Sequence, residues 1–145
     1  MEIVKINSRI QHFKIVSKIL ESYPGGIDAE AVFHSDPLYT GLEAMAQTAA
    51  LHVRHSLGFE RHAFLLSVHN CQMPPIGALT GVFRVTAGLR NRSSEAFLYH
   101  VVASGPHVAD FDSELLIGTR AYDDGFKKEV LAALYQKMWA RLREG

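Results

Sequence analysis

The stretch that most limits how this chain can fold is a helix with no polar side. Between Gly41 and Gly58, Leu42, Met45, Ala46, Ala49, Ala50, Val53 and Leu57 recur at helical spacing, and Ala44 fills much of the remainder. A helix that is apolar nearly all round has to be enclosed, and its small residues let other backbone come close. A sheet wrapped around it meets both conditions. Thr40 and Glu43 stand at capping-box spacing, which puts the helix start near Gly41, and Pro37 discourages an earlier start at Asp36. Gly58 is a stop signal, and His52, Arg54 and His55 fall in the last turns, where positive charge complements the helix dipole.

The segments on either side read as strands. His12 to Leu20 alternates Phe13, Ile15 and Ser17 against Lys14, Val16 and Lys18; Pro24, Gly25 and Gly26 make a turn, and Ile27 to Phe33 is the hairpin partner. After the helix come Ala63 to Val68, Leu79 to Leu89, Glu95 to Ser104 and His107 to Tyr122. They are separated by Met73-Pro74-Pro75, by Arg90 to Ser94 and by Gly105-Pro106, the spacing of an antiparallel meander. Asp110, Asp112 and Glu114 alternate with Phe111, Ser113 and Leu115, as one solvated strand face would. Phe126 to Arg143 is an amphipathic helix with Val130, Leu131, Leu134, Met138 and Leu142 on one side. Two strands, a buried helix, four strands and a terminal helix make one α+β domain over residues 1–145, a long antiparallel sheet curled around a central helix. Its open edges point to pairing with another copy, hence to a homodimer or higher homo-oligomer.

Composition narrows function by exclusion. With 15 Lys+Arg against 15 Asp+Glu there is no net charge to draw nucleic acid or an anionic membrane. No apolar run approaches the ~20 residues of a membrane span. The single cysteine, Cys71, makes no internal disulfide, and no basic-then-apolar opening resembles a signal peptide, so a cytoplasmic setting is expected. His52, His55, His62 and His69 have no acid or cysteine at ligand spacing, so no metal is expected. Cys71, near His69, reads as a small buried apolar group rather than a nucleophile.

The loop before the helix carries a resemblance. Phe33-His34-Ser35-Asp36-Pro37-Leu38-Tyr39-Thr40-Gly41 resembles the F-x-G-[DH]-P-x-x-P-G loop of the 3-hydroxyacyl-(acyl carrier protein) dehydratases. Phe33, Asp36, Pro37 and Gly41 match, while Ser35 and Thr40 replace a glycine and a proline. Glu43-Ala44-Met45-Ala46-Gln47 resembles the [ED]-A-[LM]-x-Q of that family's central helix, and Pro75-Ile76-Gly77-Ala78-Leu79 is loosely similar to its P-G-x-x-L strand start. The compact G-[LI]-E-x-M-A-Q form also resembles a divergent branch associated with aryl polyene biosynthesis. Only Leu42 separates Gly41 from Glu43, where the family has a few more residues; a shortening near three residues is close to one helical turn and leaves Glu43 facing the same way. The family's histidine immediately precedes its phenylalanine, and Val32 stands there. His34, two residues on, lies on the same face of an extended segment.

The resemblance implies a hot-dog fold and removal of water from a 3-hydroxyacyl thioester on acyl carrier protein or coenzyme A, in fatty acid or polyketide/polyene-type synthesis. No metal or redox cofactor is implied. The reaction needs a base for the C2 proton and an acid for the departing C3 hydroxyl, while the thioester carbonyl gains negative charge. His34 would be the base, since histidine titrates near neutrality. Glu43, on an apolar helix, would hold its proton through desolvation. The Gly41 amide at the helix N-terminus would polarise the carbonyl. Asp36 and Gln47 are further substrate-binding candidates, and Met45, Ala46 and Ala49 with Phe64 and Leu66 would line an acyl tunnel. In the family, the histidine and the acid of one site come from different protomers.

Each residue also has a structural reading: Glu43 in a capping box, His34 as a loop histidine, Asp36 as a turn initiator, Gly41 as a tight turn, Gln47 as a residue pointing to solvent. Two other functions fit. One is a thioesterase on the same fold, in which a carboxylate activates water. The other is a non-catalytic subunit that binds acyl carrier protein or an acyl chain, which Val32 in the histidine position favours.

Overall fold

The computed structural model describes residues 15–122 and 128–144. Residues 12–14 of the expected first strand and residues 126 and 127 of the expected terminal helix lie outside them. Strands β1 (Val16–Tyr23) and β2 (Gly26–Asp36) form the hairpin, with Pro24 and Gly25 at its tip and Tyr23 opposite Gly26. Close packing makes Gly26 necessary, because a Cβ there would stand 2.4 Å from the Ala87 carbonyl oxygen. Helix α1 (Leu38–Ser56) has 19 residues and so spans roughly 28 Å. Then come β3 (His62–Gln72), β4 (Leu79–Arg92), β5 (Ala96–Ser104), β6 (Phe111–Arg120) and helix α2 (Lys128–Glu144).

All six strands are antiparallel to their neighbours, in the order β1-β2-β4-β5-β6-β3. The expected meander holds for β4, β5 and β6 but not for β3, which lies at the far edge beside β6. Because every adjacent pair is antiparallel, β2 and β3 run parallel, and their connection has to be a crossover. That crossover is α1, which therefore lies across the strands between them and touches all six. From β3 the chain returns past β6 and β5 to β4, three strand spacings or roughly 14 Å. Residues 73–78 can reach about 20 Å when extended, and their two prolines suit such a span better than a hairpin. Met73 passes the first turn of α1, 3.5 Å from where a Cβ on Gly41 would be.

Strand alternation selects the core. Ala29, Ala31 and Phe33 of β2, Phe83, Val85 and Ala87 of β4, Phe97, Tyr99 and Val101 of β5, and Leu115 and Ile117 of β6 all face α1 and are buried with Met45, Ala49 and Val53. Each large side chain enclosed this way contributes about 1.5–3 kcal/mol. Phe33 and Phe83 meet edge to face, with centroids 5.2 Å apart.

The two ends of α1 differ from each other. At the start, Pro37 is the N-cap, so the helix begins three residues before the expected Gly41, and no side chain caps it. The capping box is absent. Thr40 instead donates its hydroxyl to the Pro37 carbonyl at 2.5 Å, and the φ of −60° fixed by Pro37 leads into the helix without help from Glu43. At the end, Gly58 takes φ +63°, its N–H donates to the His55 carbonyl, and the Phe59 N–H donates to the Arg54 carbonyl. This is the Schellman arrangement that glycine permits. Helix α2 packs here: the Arg54 guanidinium lies 4.0 Å from the Tyr135 ring centroid, and Trp139 stacks on His55 at 4.1 Å. Cys71 is exposed on the β3 edge rather than buried.

Candidate functional site

The expected site residues gather around the first turns of α1 without all converging. His34, near the end of β2, pairs with Thr80 of β4 and is exposed. Alternation puts Val32 and His34 on the sheet face away from α1, with Phe33 facing the helix. The next residue, Ser35, takes φ +58°, and its N–H donates to the Thr80 hydroxyl at 3.1 Å. Asp36 accepts the His34 N–H on Oδ2 at 2.8 Å. The register shift between His34 and Asp36 is a bulge that turns the strand into the helix, and the Asp36 carboxylate braces it.

Gly41 is buried, and a Cβ on it would stand 2.7 Å from Leu79 Cδ1. At the helix start both the N–H and the hydroxyl of Thr40 donate to the Pro37 carbonyl. Leu38 and Tyr39, three and two residues before the expected donor Gly41, have amides without an intrahelical acceptor. Glu43 is half-buried, and among the described residues its carboxylate makes no hydrogen bond or ion pair. Gln47, one turn on, does not simply point to solvent: its Oε1 accepts the N–H groups of Ile15 and Val16 at 3.0 and 3.3 Å, tying α1 to the start of β1.

Phe64 and Leu66 depart from expectation. Phe64 pairs with Gly118, and a Cβ on that glycine would meet Leu66 at 2.8 Å and Phe64 at 3.0 Å, so both side chains lie over it. Ala63, Ile117 and Thr119 are the neighbours turned toward the core. Phe64 and Leu66 are thus on the outer face of the sheet and share no tunnel wall with Met45, Ala46 and Ala49. Leu66 is also the extra residue of a bulge between Leu65 and Ser67.

At the other end of α1, His52 is not a cation complementing the helix dipole, as its position in the last turns suggests. It is 1% exposed. Its Nε2 lies 2.7 Å from the Tyr23 carbonyl oxygen and its Nδ1 lies 2.6 Å from the Tyr99 hydroxyl. A carbonyl can only accept, so Nε2 carries the proton, and in the neutral ring Nδ1 accepts from Tyr99. Burial pushes the His52 pKa below its ordinary value, against the Tyr23 carbonyl, and the positive charges of His55 and Arg92 push the same way. Burial drives the Tyr99 pKa upward, so both groups stay neutral around pH 7. Beside this pair is a cleft of about 470 Å³, walled by the β1–β2 turn, the end of α1 and Arg92 at the end of β4. The position of His52 could have been found in the sequence: Met45, Thr48, Ala49 and His52 share one helical stripe. Its bond to Tyr99, 47 residues away, left no local signal.

The described residues include no cluster of three His, Cys, Asp or Glu able to hold a metal ion. No described helix is long and apolar enough to cross a membrane.

The architecture recurs in solved structures of low identity. The dehydratase heterocomplex ApeI:P from Xenorhabdus doucetiae is 12% identical, with a TM-score of 0.62 over 87% of this chain and 90% of that one. A thioesterase from Haemophilus influenzae is 12% identical, with a TM-score of 0.61 over 81% of this chain and 86% of that one. A mutant thioesterase from Staphylococcus aureus is 9% identical, with a TM-score of 0.61 over 78% of this chain and 98% of that one. No protein-family model and no curated protein sequence matches the chain. The six-stranded sheet around α1, followed by a terminal helix, is the hot-dog fold, here shared with a dehydratase and with thioesterases.

Proposed function

We propose that this chain acts on acyl thioesters with Glu43 as its catalytic carboxylate, removing water from a 3-hydroxyacyl chain carried by acyl carrier protein or coenzyme A in fatty acid or polyene-type synthesis. One contrast carries this reading. Asp36, Thr40 and Gln47 all hold backbone, whereas Glu43, half-buried between them, holds nothing among the described residues. A carboxyl group released from structural duty is free to exchange a proton with a bound substrate.

In this scheme a base takes the C2 proton, Glu43 protonates the departing C3 hydroxyl, and the Leu38 and Tyr39 amides stabilise the charge on the thioester carbonyl. His34 lies on the opposite sheet face from α1, so the base for one Glu43 comes from a second subunit. Edge strand β3 offers the seam: its outer backbone edge has no partner strand among the described residues, and Leu65 and Leu66 are 42% and 52% exposed. A second copy, or a different subunit, since the similar dehydratase ApeI:P is a heterocomplex, would close it.

The test is absorbance at the enoyl-thioester band while the protein meets short and medium 2-enoyl and 3-hydroxyacyl thioesters. Interconversion should be lost by a factor of about 100 or more in Glu43→Gln and in His34→Ala. A silent wild type across the panel would sink the dehydratase reading. Val32 in the histidine position favours a second reading, a non-catalytic subunit that binds acyl carrier protein or an acyl chain; thiol release in the same cuvettes would instead support a thioesterase in which Glu43 activates water.

A further inference from the structure

We propose that the cleft at the C-terminal end of α1 is a second binding site, for a small ligand bearing a phosphate or carboxylate group. His52 and Ser56 lie nine and thirteen residues beyond Glu43 on one helix, about 14 and 20 Å along its axis. The site is therefore separate from the thioester chemistry and holds whichever reaction Glu43 supports. Its volume, about 470 Å³, suits a small molecule.

The chemistry of the walls selects the ligand. Ser22 and Ser56 contribute hydroxyls, His55 an imidazole and Arg92 a fixed positive charge, and among the described residues no carboxylate lines the cleft. Arg92 has no ion-pair partner among the described residues. Its guanidinium lies 4.4 Å from the Phe97 ring centroid, which holds it at the rim. The nearest acids on β1 and β2 serve another cation: Asp28 pairs with Arg84 on the outer face, and the charge of Glu21 also bears on Arg84. The field of Arg92 reaches the cleft floor, disfavouring a charge on His52 and favouring an ionised Tyr99.

A helix C-terminus would ordinarily repel an anion. Here the carbonyls of Val53, Arg54 and His55 already accept from Leu57, Phe59 and Gly58, which mutes that end. The floor needs no cation either, because the acceptor nitrogen of His52 takes the Tyr99 hydroxyl. What the cleft presents is a surplus of donors around one arginine, the arrangement that recognises an oxyanion.

Trp139 is the chain's single tryptophan, and it stacks on His55 at 4.1 Å and 5°. Its emission therefore reports on the cleft. The whole protein is titrated with inorganic phosphate and, separately, with acetate at constant ionic strength set by chloride. A saturable change with either anion, weakened at least tenfold in Arg92→Gln, partly restored in Arg92→Lys and unaltered in Glu43→Gln, supports the site; the anion that saturates identifies the group. If Arg92→Gln does not fold, the double variant Ser22→Ala with Ser56→Ala takes its place, with binding weakened at least threefold. No saturable change with either anion, or equal binding by wild type and the cleft variant, overturns the proposal.

Discussion

Removing a single oxygen, by Tyr99→Phe, tests how the far end of α1 is held. Tyr99 and His52 are 0% and 1% exposed, and the hydroxyl lies 2.6 Å from Nδ1. The phenylalanine ring keeps the packing, so the loss is confined to one donor and leaves the Nδ1 lone pair buried without a partner. That costs about 2 kcal/mol, which for a chain of this size lowers Tm by roughly 6 °C. The same pair sets an acid limb of stability. The folded pKa of His52 lies below the ordinary histidine value because burial disfavours the cation, so the unfolded chain takes up the proton first. The stabilisation is complete above pH ~6.5 and is lost as pH falls from there through the folded pKa, with a slope of up to ~1.4 kcal/mol per pH unit. His52→Gln removes that titration while keeping a donor for the Tyr23 carbonyl and an acceptor for Tyr99. Urea unfolding at pH 7.5, and then stepwise between pH 8 and 5, measures both effects. A Tyr99→Phe protein within 0.5 kcal/mol of wild type, or an acid slope unchanged in His52→Gln, would refute the neutral hydrogen-bonded pair.

Other changes reach the hairpin, the β1 anchor and the terminal helix. Gly26→Ala drives a methyl to 2.4 Å from the Ala87 carbonyl oxygen, on backbone that cannot step aside, and should cost about 3 kcal/mol in denaturant unfolding. Gln47→Leu removes the acceptor for the Ile15 and Val16 amides, so hydrogen exchange at those two amides should accelerate at least tenfold while exchange in β4 and β5 stays slow. Tyr135→Leu keeps an apolar contact but removes the ring facing Arg54, and should weaken the docking of α2 by about 1 kcal/mol, read as faster proteolysis within 128–144.

The burial of α1 was legible because Leu42 to Leu57 leaves no polar face, and one sheet is the simplest cover for such a helix. Its start was not, because Thr40 and Glu43 mimic a capping box that Pro37 makes unnecessary. The position of β3 was hidden by its order in the chain, although Pro74-Pro75 already argued against a hairpin to β4. Ala63 to Leu66 is apolar on both faces, so no periodicity could tell which side chains would meet the helix; the pairing with β6 decided, and it turned Phe64 outward. Glu43 was found through its motif, whereas the isolation of its carboxylate depends on Asp36, Thr40 and Gln47 each having a backbone partner. These points share one cause. A helix enclosed by a single sheet can present polar chemistry only at its two ends, and here those ends carry the unengaged Glu43 and the cleft of His52 and Arg92. Both features follow from the same apolar sequence that buries Met45 and Ala49.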